Sequence, residues 1–119
     1  MDKIFVHNTH GKDDVERASL AMVVANTALT AGQDATVLLT IEGVCVATDG
    51  YADGLQAKGF PPLNELVSQF IENEGQLWVC GACARPRNIN ESDLIPGARI
   101  VGAANAVEAL VNGAHTLSF

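Results

Sequence analysis

The sequence predicts an α/β fold: a three-layer α/β/α arrangement around a mainly parallel sheet of about five strands. Three observations point there. Strand-like and helix-like segments alternate along the chain, as crossover connections between parallel strands require. Ala35-Thr36-Val37-Leu38-Leu39-Thr40-Ile41 is nearly continuous in apolar character, which suits a strand covered on both faces. Leu63, Leu66, Val67, Phe70 and Ile71 recur at i, i+3, i+4, i+7 and i+8, the stripe of an amphipathic helix.

In chain order, Lys3-Ile4-Phe5-Val6-His7 has a strand-forming centre. The loop Asn8–Lys12 follows, and Asp13 or Asp14 caps a helix reaching about Ala31, with Gly32 as the residue beyond its end. Val15, Ala18, Ala21, Met22, Ala25, Ala28 and Leu29 fall at helical spacing. Leu20, Val23 and Val24 widen that face, so this helix packs against two things, the second a candidate neighbouring subunit. The second strand is 35–41. After Glu42-Gly43-Val44-Cys45-Val46-Ala47 comes a stretch from Thr48 to Pro62, punctuated by Gly50, Gly54 and Gly59 and long enough to act as a lid. Pro62 suits the first turn of the amphipathic helix, and Gly75 ends it. Gln76–Cys80 is a third strand and Arg99-Ile100-Val101 a fourth. A helix spans about Ala103 to Asn112, with Val107, Leu110 and Val111 expected inward, and His115–Phe119 is the last strand. There is no repeat, low-complexity tract or linker, and 119 residues suit one domain, 1–119.

Composition narrows the function classes. Hydrophobic residues are 48% and charged residues 18%, which excludes a disordered chain. Low charge and a wide apolar first helix predict self-association. The net charge of -7 disfavours nucleic acid and anionic membranes, both of which attract basic surfaces. No run approaches the ~18 apolar residues of a membrane span, and the apolar run within Met1–His7 is too short for a leader. A cytoplasmic location is expected. Three cysteines, an odd number, do not suggest a disulfide framework.

Chemistry concentrates in Val79-Cys80-Gly81-Ala82-Cys83-Ala84-Arg85-Pro86-Arg87-Asn88-Ile89. Cys80 ends a predicted central strand, the edge where open α/β sheets bind ligands. Cys83 lies three residues on, on the same side of any helical turn that follows. Arg85 and Arg87 are two of only four arginines in an acidic chain. Positive charge beside a helix N-terminus favours a thiolate and hence a nucleophilic sulfur. Three other readings of this loop stand beside that one. The thiols can be buried packing residues. They can be half of a zinc site, although Cys45, His7, His10 and His115 lack ligand-like spacing. They can be a dithiol redox pair, although the order of elements is not that of thioredoxin. Glu42, at a strand end, and His10 and Lys12, in the first loop, lie on the same sheet edge and are candidate pocket residues. Asp49 and Tyr51 belong to the possible lid. Cys45 and Trp78 read as packing residues.

The sequence resembles the DsrE/DsrF-like family of small sulfur-relay proteins, and within it the YchN-like branch. The resemblance is carried by Leu77-Trp78-Val79-Cys80-Gly81-Ala82-Cys83 with Arg87-Asn88-Ile89, by Leu94-Ile95-Pro96-Gly97, and by Ala114-His115-Thr116-Leu117-Ser118-Phe119. Glu42-Gly43-Val44 also fits. The resemblance implies an α/β/α fold, assembly as trimers or hexamers, and a persulfide carried on the cysteine matching Cys80. It implies donor and acceptor proteins in a sulfurtransferase-like relay, with no metal or organic cofactor. Arg87 matches the family's basic loop residue. Asn88 stands where the family usually has Gly, and Asn is the next most tolerant residue of a left-handed conformation.

Overall fold

A computed structural model describes residues 3–119. Met1 and Asp2, the first residues of the segment considered as a leader, lie outside the described residues. Five strands form one sheet: β1 (Lys3–Asn8), β2 (Asp34–Leu39), β3 (Gln76–Cys80), β4 (Ala98–Val101) and β5 (His115–Ser118). Their order is β4-β3-β2-β1-β5, and every neighbouring pair is parallel. The helices are α1 (Val15–Thr30), α2 (Leu63–Glu72), the single turn α3 (Gly81–Ala84) and α4 (Ala103–Val111). Short 3₁₀ helices cover Ile41–Ala47, Arg85–Arg87 and Glu91–Asp93.

The topology assigns the layers. From β1 to β4 the chain steps one way across the sheet; the return to β5 crosses back. Right-handed crossovers therefore put α1 and α2 on one face and α4 on the other. Asp14 caps α1 by accepting the Arg17 N–H at 3.0 Å, and Gly32, at φ +83°, reverses the chain beyond its end.

On the α1/α2 face, Val6, Val37, Leu39, Leu77 and Val79 are buried against Ala18, Ala21, Met22 and Ala25 of α1 and Leu63, Leu66, Val67 and Phe70 of α2. The alanines let α1 approach the strands closely. Each buried Val, Leu, Met or Phe contributes about 1.5–3 kcal/mol. The buried Asn26 side-chain N–H of α1 donates to the Leu66 carbonyl at 3.0 Å, tying the two helices together.

The α4 side departs from expectation. Val107, Leu110 and Val111 were expected to point inward; they are 60%, 44% and 78% exposed. A helix of nine residues crossing a five-stranded sheet alone cannot cover it, and only Ala106 and Ala109 are half-buried within α4. All of β5 is exposed. Leu20 of α1 is also 38% exposed, which leaves the outer part of that helix's apolar face bare. Beneath α4 lies a groove of about 840 Å³ lined by Phe5, Thr36, Trp78, Arg99, Asn105 and Glu108, among others. Phe5 meets Trp78 edge-on with ring centroids 6.2 Å apart, and the Arg99 guanidinium lies 5.4 Å from the Trp78 ring centroid. The second strand is also shorter than expected. It stops at Leu39, because Ile41 turns to φ +56° and starts the 3₁₀ helix.

Among the described residues, no helix is long and apolar enough to cross a membrane.

Candidate functional site

β1, β2 and β3 are neighbours in a parallel sheet, so the loops leaving their carboxyl ends meet on one edge. The first two loops lock together at Asn8. This buried side chain accepts the His10 N–H at 3.1 Å and donates to the His10 carbonyl at 2.9 Å. Its own backbone carbonyl accepts the Thr40 N–H at 3.1 Å. A Cβ on Gly43 would collide with that Asn8 carbonyl, so only glycine lets the 3₁₀ segment sit this close to β1.

Cys80 ends β3 and caps α3; Cys83 lies inside that turn. Both are half-buried free thiols. Burial, chiefly, and the neighbouring Cys80 thiol raise the Cys83 pKa, against the opposing pull of the Ile41 N–H and the Arg87 charge. Ile41 is an outlier: a β-branched residue in the left-handed region, 53% exposed, held by the loop contacts around it.

Glu42 is the hub beside the thiols. Its carboxylate pairs with Arg87 Nε at 3.6 Å, and Arg87 Nη1 donates to the Cys83 carbonyl at 3.2 Å. The other carboxylate oxygen accepts the Tyr51 hydroxyl at 3.1 Å. The Cys45 thiol also hydrogen-bonds Glu42; burial foremost, then that bond and the carboxylate charge, push its pKa up to about 11. Tyr51 is pushed up to about 12, mainly by burial. The Tyr51 oxygen accepts the Lys12 N–H at 2.8 Å, and Lys12 Nζ sits 4.6 Å from the ring centroid. A Cβ on Gly11 would come within 2.6 Å of the Tyr51 oxygen, so this glycine admits the phenol. The start of the suspected lid is thus fastened to the site through Tyr51.

The structure gathers Cys80, Cys83, Arg87, Glu42 and Lys12 as one group with Tyr51 of the suspected lid, and adds Cys45. It does not bring in two other candidates. Arg85 is exposed, and its guanidinium has no partner among the described residues. His10 Nδ1 pairs with Asp13 at 2.7 Å, at the entrance to α1. Asn88 adopts φ 58°, ψ 35°, the left-handed conformation expected of it. His7 bonds Thr40 Oγ1 at 2.7 Å, and His115 is exposed on β5. Among the described residues, no three His, Cys, Asp or Glu side chains converge as metal ligands.

Sequence reasoning passed over Cys45. Its spacing from Glu42, three residues within a helical turn, was the available signal. For the role of the Ile41 backbone there was none.

A five-stranded parallel sheet with a Cys-x-x-Cys turn at its carboxyl edge defines a class of small α/β thiol proteins. The sequence profile of the DsrE/DsrF-like family matches residues 2–119, and the chain belongs to that family. It is 32% identical over 103 residues to the uncharacterized protein MJ0760 of Methanocaldococcus jannaschii, covering 87% of this chain and 38% of that relative. Against the uncharacterized protein MK0008 of Methanopyrus kandleri it is 32% identical over 85 residues, covering 71% of this chain and 67% of the relative. The chain therefore spans well under half the length of the first relative. Among solved structures it resembles the YchN protein of E. coli, with a TM-score of 0.74 at 15% identity, covering 100% of both chains. It also resembles MTH1491, a protein of unknown function from Methanobacterium thermoautotrophicum, with a TM-score of 0.73 at 17% identity and the same full coverage. At such identities these two likenesses establish the fold.

Proposed function

We propose that this chain is a sulfur carrier working by persulfide relay. The Cys80 thiolate attacks the outer sulfur of a donor protein's persulfide, and the donor thiolate leaves. An acceptor protein's thiolate then attacks the outer sulfur on Cys80, and Cys80 leaves as thiolate. Both steps are thiol exchanges and balance without a metal or organic cofactor. The observation that carries this reading is the placement of the free thiols: Cys80 ends β3 at the carboxyl edge of the sheet and caps α3, with Cys83 inside the same turn. Arg87, braced by Glu42, sets a positive charge beside the pair. Membership in a family commonly engaged in sulfur relay supports the same reading. A cytoplasmic setting, where thiols stay reduced, suits it.

Intact mass after incubation with a persulfide donor tests it. The wild type should gain one sulfur, removable by reductant. Cys80→Ser should gain none, and Cys83→Ser should still load. A wild type that gains nothing overturns the carrier and favours a binding module. A wild type that only loses two hydrogens makes it a dithiol redox protein.

We also propose that the chain works as a homo-oligomer, a trimer or a hexamer. Exposed Val107, Leu110, Val111 and Leu117, together with the groove under α4, support this. Light scattering that finds only monomer at micromolar concentration removes the proposal.

A further inference from the structure

We infer that the thiol loop also discharges its own cargo: Cys83 attacks the Cys80 persulfide at the Cys80 sulfur and releases sulfide. This rests on the carrier reading above and adds a second fate for the bound sulfur. The persulfide S–S bond breaks and a Cys80–Cys83 bond forms. The outer sulfur takes the electron pair and, with the two protons of the persulfide and the thiol, leaves as hydrogen sulfide. The outer sulfur is reduced to sulfide, the Cys83 thiol is oxidised, and the Cys80 sulfur exchanges one S–S bond for another. A small thiol reductant, two molecules per turnover, or one dithiol restores the loop.

Two geometric observations carry the inference. Cys80 occupies the cap position of α3 and Cys83 the third position of the same turn, a spacing that puts the two side chains on one side of the turn. Both are half-buried free thiols, and they lie near enough for Cys80 to act on the titration of Cys83. Cys45, the only other cysteine, is unsuited: its S–H is committed to Glu42 and its pKa is pushed up to about 11. Cys83 instead faces the Ile41 N–H from the 3₁₀ segment after β2 and the Arg87 charge from the segment after α3, both of which stabilise its thiolate. Glu42 pairs with that Arg87 at 3.6 Å.

The consequence is a timer. Burial disfavours the Cys83 thiolate, and discharge accelerates as pH rises and Cys83 ionises. A carrier that meets no acceptor then empties itself as sulfide.

The test loads the full chain with inorganic polysulfide, removes the excess, and follows intact mass and free sulfide together. In the wild type, the one-sulfur adduct should give way to a species lacking two hydrogens, with about one sulfide released per loaded chain. Cys83→Ser and Cys83→Ala, each checked for folding by circular dichroism, should keep the adduct, with sulfide release slowed at least about tenfold. Alkaline buffer should speed the wild type and leave the variants unchanged. An adduct that persists in the wild type as in the variants overturns discharge and leaves carriage standing. A disulfide that appears without a preceding adduct also overturns discharge. Absence of any adduct in all three proteins overturns carriage, and discharge with it.

Discussion

The two faces of the sheet are built to different standards. On one, α1 and α2 seal Val6, Val37, Leu39, Leu77 and Val79 completely. On the other, α4 alone spans the sheet, a groove of about 840 Å³ remains, and the Trp78 Nε1 is buried without a hydrogen-bond partner. Both faces come from the same strands, so the difference lies in the connections. Three steps in one direction place two long helices on the first face. One return step places nine residues on the second. A face left this open, with apolar side chains on the outer side of its one helix, fits a surface finished by another copy of the chain.

The largest effect expected from breaking this comparison is at Phe70. Phe70→Ala empties a fully buried site on the sealed face and should destabilise by about 3–5 kcal/mol in denaturant unfolding. Leu110→Glu on α4 should change the stability of the isolated chain by less than about 0.5 kcal/mol, since the side chain is exposed there. It should nevertheless lower the particle mass by light scattering. Equal destabilisation by the two changes at low protein concentration would mean that the faces are not different in kind.

Next in size is Asn8→Ala, at the sealed face's thiol edge. It strands the His10 N–H and carbonyl and should cost about 1–3 kcal/mol. Because the Asn8 side chain holds the first loop at His10, beside the thiol edge, persulfide loading should fall along with stability. Loading that survives intact would show that the first loop does not shape the site.

Tyr51→Phe should be milder, at about 0.5–1.5 kcal/mol, the worth of one or two partly exposed hydrogen bonds. Its sharper signature is local. The 48–62 stretch should become easier to cut with protease, because the hydroxyl's bonds to Glu42 and to the Lys12 N–H are gone. Cutting at an unchanged rate would return that stretch to the status of a loop held by its own turns.

Much of this was legible in the sequence, for a physical reason. The alternation of strands and helices, and the stripe of α2, follow from burial on the sealed face, and burial is what hydrophobic periodicity records. The Cys80–Cys83 turn was legible because strand end, spacing and charge coincided there. The exposure of Val107, Leu110 and Val111 was not, since periodicity marks an apolar face without saying whether this chain or another copy covers it. Charge and spacing alone do not separate Arg85 from Arg87; the resemblance singled out Arg87, and the position of Glu42, which depends on tertiary geometry, separates them physically. Ile41 defeats propensity outright, because no rule places a β-branched residue at φ +56°.

The smallest predicted effect reads the open face through acid. His7 shares its side of the sheet with Phe5, alternating with the buried Val6, and burial holds its pKa below the ordinary 6.5. The unfolded chain therefore takes up a proton before the folded chain does. Stability from this group is fully present above 6.5 and declines as pH falls through that value toward the lower folded pKa. Asp13, lowered chiefly by the Gly11 N–H, acts in a separate window, losing its contribution as pH falls below its ordinary 3.8. His7→Gln should flatten the loss between neutral and mildly acid pH and leave the lower window alone. If another copy covers the open face, His7 is buried further in the assembly. The acid sensitivity of the wild type should then grow with protein concentration, while that of His7→Gln does not. Concentration-independent melting in mild acid would separate His7 from the interface and leave the open face to be mapped through α4 alone.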